Sequence, residues 1–202
     1  MSQVGGEVVL ASASRARAAL LGGAGVRFTI DPAAIDEAGV RAALRSDGLE
    51  AAAAAAALAE LKASQVSQRH RAVLVVGADQ ILECDGAWFD KPADMDQARA
   101  DLLALCGRPH LQHSVVCVVR NGAVLWHHRE RARLTMRDFS ERFLDAHLAA
   151  VGDSVLDSVG AYQLEALGAQ LFTEVGGDYF AILGLPLLPL LAFLRQHGVV
   201  ME

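Results

Sequence analysis

The run Ala72-Val-Leu-Val-Val-Gly77 is apolar without interruption and is followed two residues later by Asp79. An unbroken apolar run of this length is the pattern of a strand buried on both faces, which needs helices packed on either side of its sheet. Working outward, Ile81 to Phe89 carries Asp85-Gly86, a two-residue hairpin signal, and Asp90-Lys91-Pro92 closes that unit. Upstream, Leu49 to Gln68 predicts a long helix, because the seven alanines Ala51 to Ala57 are strong helix formers and Leu58, Leu61 and Val66 supply an apolar side. Glu7-Val-Val-Leu-Ala11, Ser12-Ala-Ser14 and Arg15 to Leu21 read as strand, polar loop and helix. Val26 to Ile30 reads as a second strand, broken by Asp31-Pro32. Downstream, Asp94 is an N-cap candidate for a helix through Leu105 with a stop at Gly107, and His110 to Thr135 reads as two strands around Asn121-Gly122. A helix from about Ser140 to Ala149 follows, and past Gly152 the glycine-rich pieces read as loops held close to their surroundings.

Hairpins mixed with helices, with no linker rich in Pro, Gly or Ser and no repeat, describe one α/β (mixed α+β) domain over residues 1–202. The expected architecture is a central mixed, twisted β-sheet with flanking helices, in two lobes around a cleft.

Composition excludes several classes. In 202 residues, 53% are hydrophobic, 21% are charged and the formal net charge is -6, which fits a folded chain rather than a disordered one. With 24 acids against 18 bases, the chain lacks the basic excess of a nucleic-acid reader. Cys84, Cys106 and Cys117 are widely spaced and odd in number, so a reducing cytoplasm is the expected setting. Met-Ser-Gln-Val-Gly-Gly-Glu has no basic region of a leader peptide. The longest uncharged run, Tyr179 to Leu194, is interrupted by Pro186 and Pro189 and reads as a buried C-terminal helix rather than a membrane span. The basic residues are uneven: sixteen are arginine, and Lys62 and Lys91 are the two lysines.

Ser12, Ser14, Arg15 and Arg17 lie between a strand and a helix, where hydroxyls, guanidiniums and helix-start N–H groups suit an anion such as phosphate. Ser14 equally suits a plain N-cap with solvated arginines. Asp79 at the end of a buried strand suits a metal ligand or general base, or simply a turn. Glu37, in an irregular stretch, either joins Asp79 in holding a hard divalent cation or is a surface acid. His127-His128 on a strand point to opposite faces and, like His110 and His113, read as structural.

Leu10-Ala-Ser-Ala-Ser-Arg-Ala-Arg-Ala-Ala-Leu-Leu21, Ile35-Asp-Glu37, Leu58-Ala-Glu-Leu-Lys-Ala63, Val76-Gly-Ala-Asp-Gln80, Lys91-Pro92, Ser158-Val-Gly-Ala-Tyr162 and Gly184-Leu-Pro186 occur in the order found in one family. Together they resemble the Maf family of nucleoside triphosphate pyrophosphatases over nearly the whole chain. The resemblance implies the Maf / inosine triphosphate pyrophosphatase-like fold, and cleavage of a nucleoside triphosphate between its α- and β-phosphates with a divalent cation, Mg²⁺ or Mn²⁺. It places Asp79 as proton acceptor for the attacking water, and Ser12, Arg17, Glu37, Lys62 and Lys91 around the phosphates and metal. It further implies a cytoplasmic homodimer, clearance of modified nucleotides and an association with septum formation and division arrest.

Members resembling the dTTP/UTP group carry Thr after the catalytic Asp and Gln in the later Ala-Tyr-x-x-Gln position, whereas this chain has Gln80 and Glu165. These resemble the group acting on 7-methyl-GTP. A carboxylate accepts the paired N1–H and N2–H donors of guanine, while uracil and thymine offer one edge donor. The chain departs from both groups at Ala16, has Arg15 in place of the usual Pro, and has Ser158 where the dTTP/UTP group commonly carries Lys. A guanine-type base is therefore expected, with a dTTP/UTP pyrophosphatase or a non-catalytic regulator of septum formation as the alternatives.

Overall fold

The computed structural model describes residues 7–201, so the reading of Met1 to Gly6 as lacking a leader falls outside the described residues. The described chain forms a seven-stranded mixed sheet flanked by helices. Its strands are β1 (Val8–Leu10), β2 (Thr29–Ile30), β3 (Leu74–Cys84), β4 (Ala87–Phe89), β5 (Pro109–Arg120), β6 (Ala123–Met136) and β7 (Phe172–Gly176). Their order is β2-β1-β3-β5-β6-β7, with β4 paired to β3. The helices are α1 (Arg15–Gly23), α2 (Glu37–Ser46), α3 (Ala51–Ser67), α4 (Met95–Leu105), α5 (Glu141–Val151), α6 (Tyr179–Ile182) and α7 (Leu187–Gln196). No helix among the described residues is long and apolar enough to cross a membrane.

Two compact units divide the chain, one built from residues up to Asp79, Ser114–Glu130 and Tyr179 onward, the other from Gln80–His113 and Arg131–Asp178. In the first unit β1 runs parallel to β2 and β3, with Val8, Val9 and Leu10 opposite Leu74, Val75 and Val76. Alternation along the strands sorts their side chains. Val8, Leu10, Val76 and Ala78 pack with Leu21 of α1 and Leu190 and Leu194 of α7 in one core. Gly77 and Asp79 belong to the opposite parity, and there α3 lies against β3. A Cβ on Gly77 would collide with the Ala59 carbonyl and stand 2.8 Å from the Ala63 Cβ. The small residues of α3 thus serve packing as well as helix propensity, since Ala54, Ala55, Ala59 and Ala63 are fully buried. Gly77→Ala is expected to cost about 3 kcal/mol by overpacking against backbone that cannot yield, read by urea denaturation.

The second unit holds the Asp85-Gly86 turn between β3 and β4, with φ of 49° and 78°. α4 is capped as expected, the Asp94 carboxylate accepting from the Gln97 N–H at 2.8 Å. Gly160, at φ 75°, packs so closely that a Cβ would stand 2.5 Å from Leu82 Cδ1.

Three local expectations need correction. Asp79 is interior to the eleven-residue strand β3 rather than at a strand end, because the strand runs on into its hairpin with β4. Glu37 is the first residue of α2 rather than part of an irregular stretch, and the Asp36 carboxylate caps that helix by accepting from the Gly39 N–H at 3.0 Å. The glycine-rich tail contains β7, paired antiparallel with β6, whose mostly exposed side chains gave no apolar run to read.

Candidate active site

Residues of the first unit converge where β1 ends and β3 continues. The Ala11 N–H donates to the Val76 carbonyl at 2.8 Å, after which the chain turns away through Ser12 to Ser14 into α1. Ligands of open α/β sheets bind outside the carboxyl ends of parallel strands. Ser14 is the N-cap, its hydroxyl accepting from the Arg17 N–H at 3.4 Å. The Ser12 hydroxyl accepts from the Ser14 N–H at 3.2 Å and from Arg17 Nη1 at 3.0 Å, so its own hydrogen remains available for donation. Arg17 Nε also donates to the Gly184 carbonyl at 2.8 Å, which pins the guanidinium at both ends of its fork. Burial pulls the Arg17 pKa below that of free arginine, opposed by the charges of Asp79 and Glu37, and the group stays cationic.

Asp79 and Lys62 form the centre. α3 buries Ala59, Lys62, Ala63 and Val66, the i, i+3, i+4, i+7 stripe of one helix face. The close approach at Gly77 brings that stripe onto the Asp79 side of β3. Lys62 Nζ donates to Asp79 Oδ1 at 2.7 Å and lies 2.6 Å from Glu37 Oε2. Both Lys62 and Asp79 are almost wholly buried, whereas Glu37 is 47% exposed, so the cluster opens to solvent through Glu37. Arg41 Nη2 reaches Asp79 Oδ2 at 3.4 Å. α2 is held over α3 by its preceding loop, where Gln65 donates to the Ala34 carbonyl at 3.0 Å and Arg69 pairs with Asp31 at 2.9 Å.

Glu37 and Asp79 present oxygens toward one point occupied by an ammonium. No group of three or more His, Cys, Asp or Glu side chains suited to a metal ion occurs among the described residues. Two carboxylates on one cationic centre suit a hard divalent ion that takes its remaining oxygen ligands from water and substrate phosphates, the habit of Mg²⁺.

The other sequence-singled residues are distributed differently. Ala16 is the second residue of α1 and is half-buried. Gln80, Lys91 and Glu165 belong to the second unit. Lys91 is exposed between β4 and α4, and Glu165 is exposed in the turn after Tyr162. Gln80 Nε2 donates to Gln112 Oε1 at 3.2 Å, Gln112 Nε2 donates to the Tyr162 hydroxyl at 2.8 Å, and His110 Nε2 lies 2.9 Å from that hydroxyl. His128 pairs with Glu130 at 2.8 Å and stacks on Trp126.

Sequence reading missed Arg41, the Gly184 carbonyl and the Gln112–Tyr162–His110 chain. Arg41 had a usable signal, since Asp36 as a cap puts Glu37 and Arg41 one turn apart on α2. The others depend on long-range pairing.

Burial drives the His110 pKa down from 6.5 to about 4, opposed by the Arg108 backbone. The folded state therefore prefers neutral His110. Its contribution is fully present above pH 6.5 and is lost on acidification toward 4, as the unfolded chain takes up a proton that the fold refuses. The loss is about 3 kcal/mol at roughly 1.4 kcal/mol per pH unit. His110→Gln is expected to flatten the fall of stability with acidification across this window, measured by denaturant unfolding at a series of pH values.

The family model of Maf-like proteins matches residues 7–197. The chain belongs to the Maf family. It is 56% identical over 190 residues to a protein of Paramagnetospirillum magneticum named nucleoside triphosphate pyrophosphatase, covering 94% of this chain and 98% of that one. A protein of the same name from Rhodospirillum rubrum is 47% identical over 202 residues, the full length of both chains. The 7-methyl-GTP pyrophosphatase of Rhizobium meliloti is 47% identical over 193 residues, 96% of this Maf chain and 97% of its own. Names of both kinds thus occur among relatives of comparable similarity, so likeness alone does not choose the base.

Proposed function

We propose that this Maf chain is a hydrolase of phosphoric anhydride bonds that converts a nucleoside triphosphate to the monophosphate and pyrophosphate, with Asp79 as general base. The observation that carries the site assignment is the buried Lys62–Asp79 pair at 2.7 Å, with Glu37 at its solvent side. Asp79 accepts a hydrogen bond at each oxygen, yet a carboxylate has about four acceptor positions, so lone pairs remain to orient a water and take its proton. Lys62 and Arg41 fix the carboxylate so that it is already aimed before substrate arrives. Ser12 donates its hydroxyl hydrogen and Arg17 its positive charge to phosphate oxygens, compensating the charge that grows on them in the transition state. Ser14 acts by capping α1 at that loop. Glu37 and Asp79 would hold the divalent cation, which when bound neutralises substrate phosphate charge and polarises the reacting phosphorus.

Lys91 is assigned to the departing pyrophosphate, where an ammonium meets oxygens from any direction. Ala16, Gln80 and Glu165 are assigned to base choice. The exposed Glu165 carboxylate favours a guanine-type base because it matches two adjacent N–H donors. The names of the Rhizobium meliloti relative and of others like it agree with that preference. Purified protein with Mg²⁺ or Mn²⁺, given GTP, 7-methyl-GTP, UTP and dTTP separately, is expected to release pyrophosphate fastest from a guanine nucleotide. Faster release from UTP or dTTP overturns the base assignment, and release from none overturns the reaction.

A further inference from the structure

The two carboxylates assigned to the divalent cation already share a cation of the protein's own. Lys62 Nζ stands 2.7 Å from Asp79 Oδ1 and 2.6 Å from Glu37 Oε2, both short charge-assisted contacts. Its side chain is only 4% exposed and belongs to the buried stripe of α3, so drawing the ammonium away with nothing in exchange would strand a buried charge. The charges of the site are also balanced by the protein itself. Glu37 and Asp79 carry two formal negative charges, Lys62 carries one positive charge, and Arg17, whose guanidinium feels both carboxylates, carries another. These four groups sum to zero, and Arg41, with Nη2 3.4 Å from Asp79 Oδ2, brings further positive charge. A divalent ion ligated at about 2.1 Å by either oxygen would lie within about 5 Å of Nζ in any direction, because the two distances add to less than that. In so buried a place, a doubly charged ion beside an ammonium is strongly repelled. A triphosphate reverses the balance, since its several negative charges more than offset the two that the ion brings.

We infer that Lys62 is the resident counter-ion of the Glu37–Asp79 pair and keeps a free divalent cation out, so that the cation is held there only together with the triphosphate. By linkage, the cation raises the affinity for triphosphate by the same factor. Without triphosphate, Asp79 stays paired with Lys62. This rests on the assignment of Glu37 and Asp79 to the cation.

The test titrates Mn²⁺ into the purified full chain and reads the free ion by electron paramagnetic resonance, with no turnover involved. The parent is expected to hold Mn²⁺ at least about tenfold more weakly alone than with GTP or UTP whose α–β bridging oxygen is replaced by methylene, once the ion bound by the analogue itself is subtracted. Equal affinity in the two conditions would overturn the inference. Without nucleotide, Lys62→Met is expected to gain about tenfold or more in affinity for Mn²⁺, and the double variant Lys62→Met with Glu37→Gln to lose that gain. A folded Lys62→Met with the parent's affinity, or a gain that survives Glu37→Gln, would overturn the inference. Because Lys62→Met is destabilised, its melting midpoint is also followed with and without Mn²⁺. A larger rise than the parent's is expected, as the ion takes the place of the lost charge, and an equal rise would overturn the inference. If Lys62→Met does not fold, the parent's two titrations still decide. A parent that holds no Mn²⁺ even with the analogue would overturn both the cation assignment and the inference. Absence of pyrophosphate release from every triphosphate would overturn the reaction alone, because none of these titrations needs turnover.

Discussion

Asp79→Asn is expected to reduce turnover by roughly 10²- to 10⁴-fold, the usual contribution of a positioned general base, with nucleotide binding retained. The substitution is nearly isosteric and the amide oxygen can still accept from Lys62, which also keeps Glu37 at 2.6 Å. What disappears is the ability to take a proton from water. Steady-state rates of pyrophosphate release, set beside calorimetric binding of the same triphosphate, separate the two effects. Full activity in this variant would overturn the assignment of Asp79 as base. A loss of binding equal to the loss of rate would leave Asp79 a ligand for metal or substrate without the role of base.

Lys62→Met is expected to destabilise the protein by about 3–5 kcal/mol, because a partner is withdrawn from a buried charge pair. Asp79 would retain Arg41 at 3.4 Å, but its nearest cation would be gone. For a chain of this length the melting midpoint should fall by about 10 °C. The double variant Lys62→Met with Asp79→Asn is expected to recover part of that stability while remaining inactive, since the uncompensated carboxylate is removed along with its partner. Lys62→Arg tests a separate property. Its charge is conserved, but a planar fork cannot sit between Glu37 and Asp79 as an ammonium does, and turnover is expected to fall roughly tenfold. Near-parent stability in Lys62→Met, measured by denaturant unfolding, would mean that the pair contributes little to the fold.

The scarcity of lysine acquires meaning from this geometry. One of the two lysines is buried between carboxylates, a place where the compact shape of the ammonium matters. The other, Lys91, is exposed, and the structure gives no equivalent reason for it to be lysine rather than arginine.

Local chemistry in the chain was sufficient for much of the fold. Ser14 and Asp94 cap helices because a short oxygen-bearing side chain accepts from an N–H three residues on. Asn121-Gly122 turns β5 into β6 with φ of 53° and 75°, values those residue types tolerate best. The apolar Leu74-Val-Val76 lies buried in β3 as its composition requires. The helix α2 was harder to read, since its ten residues bury no side chain fully, although Val40 and Leu44 stand one turn apart and are partly buried. Strand β7 was obscured for the same reason, because it is held by pairing with β6 rather than by a buried face.

By itself, then, the sequence determined the local elements with a buried face or a cap, and through its ordered motifs it determined the family and the residue types of the site. Only the tertiary structure decided that Lys62 meets both Asp79 and Glu37, that Arg41 joins them, and that Gln80 is tied to Tyr162 through Gln112. Capping, turn and burial preferences act over a few residues and can be read along the chain. These other contacts arise from strand register and from the close approach of α3 to Gly77, and both are set by pairings between segments far apart in sequence.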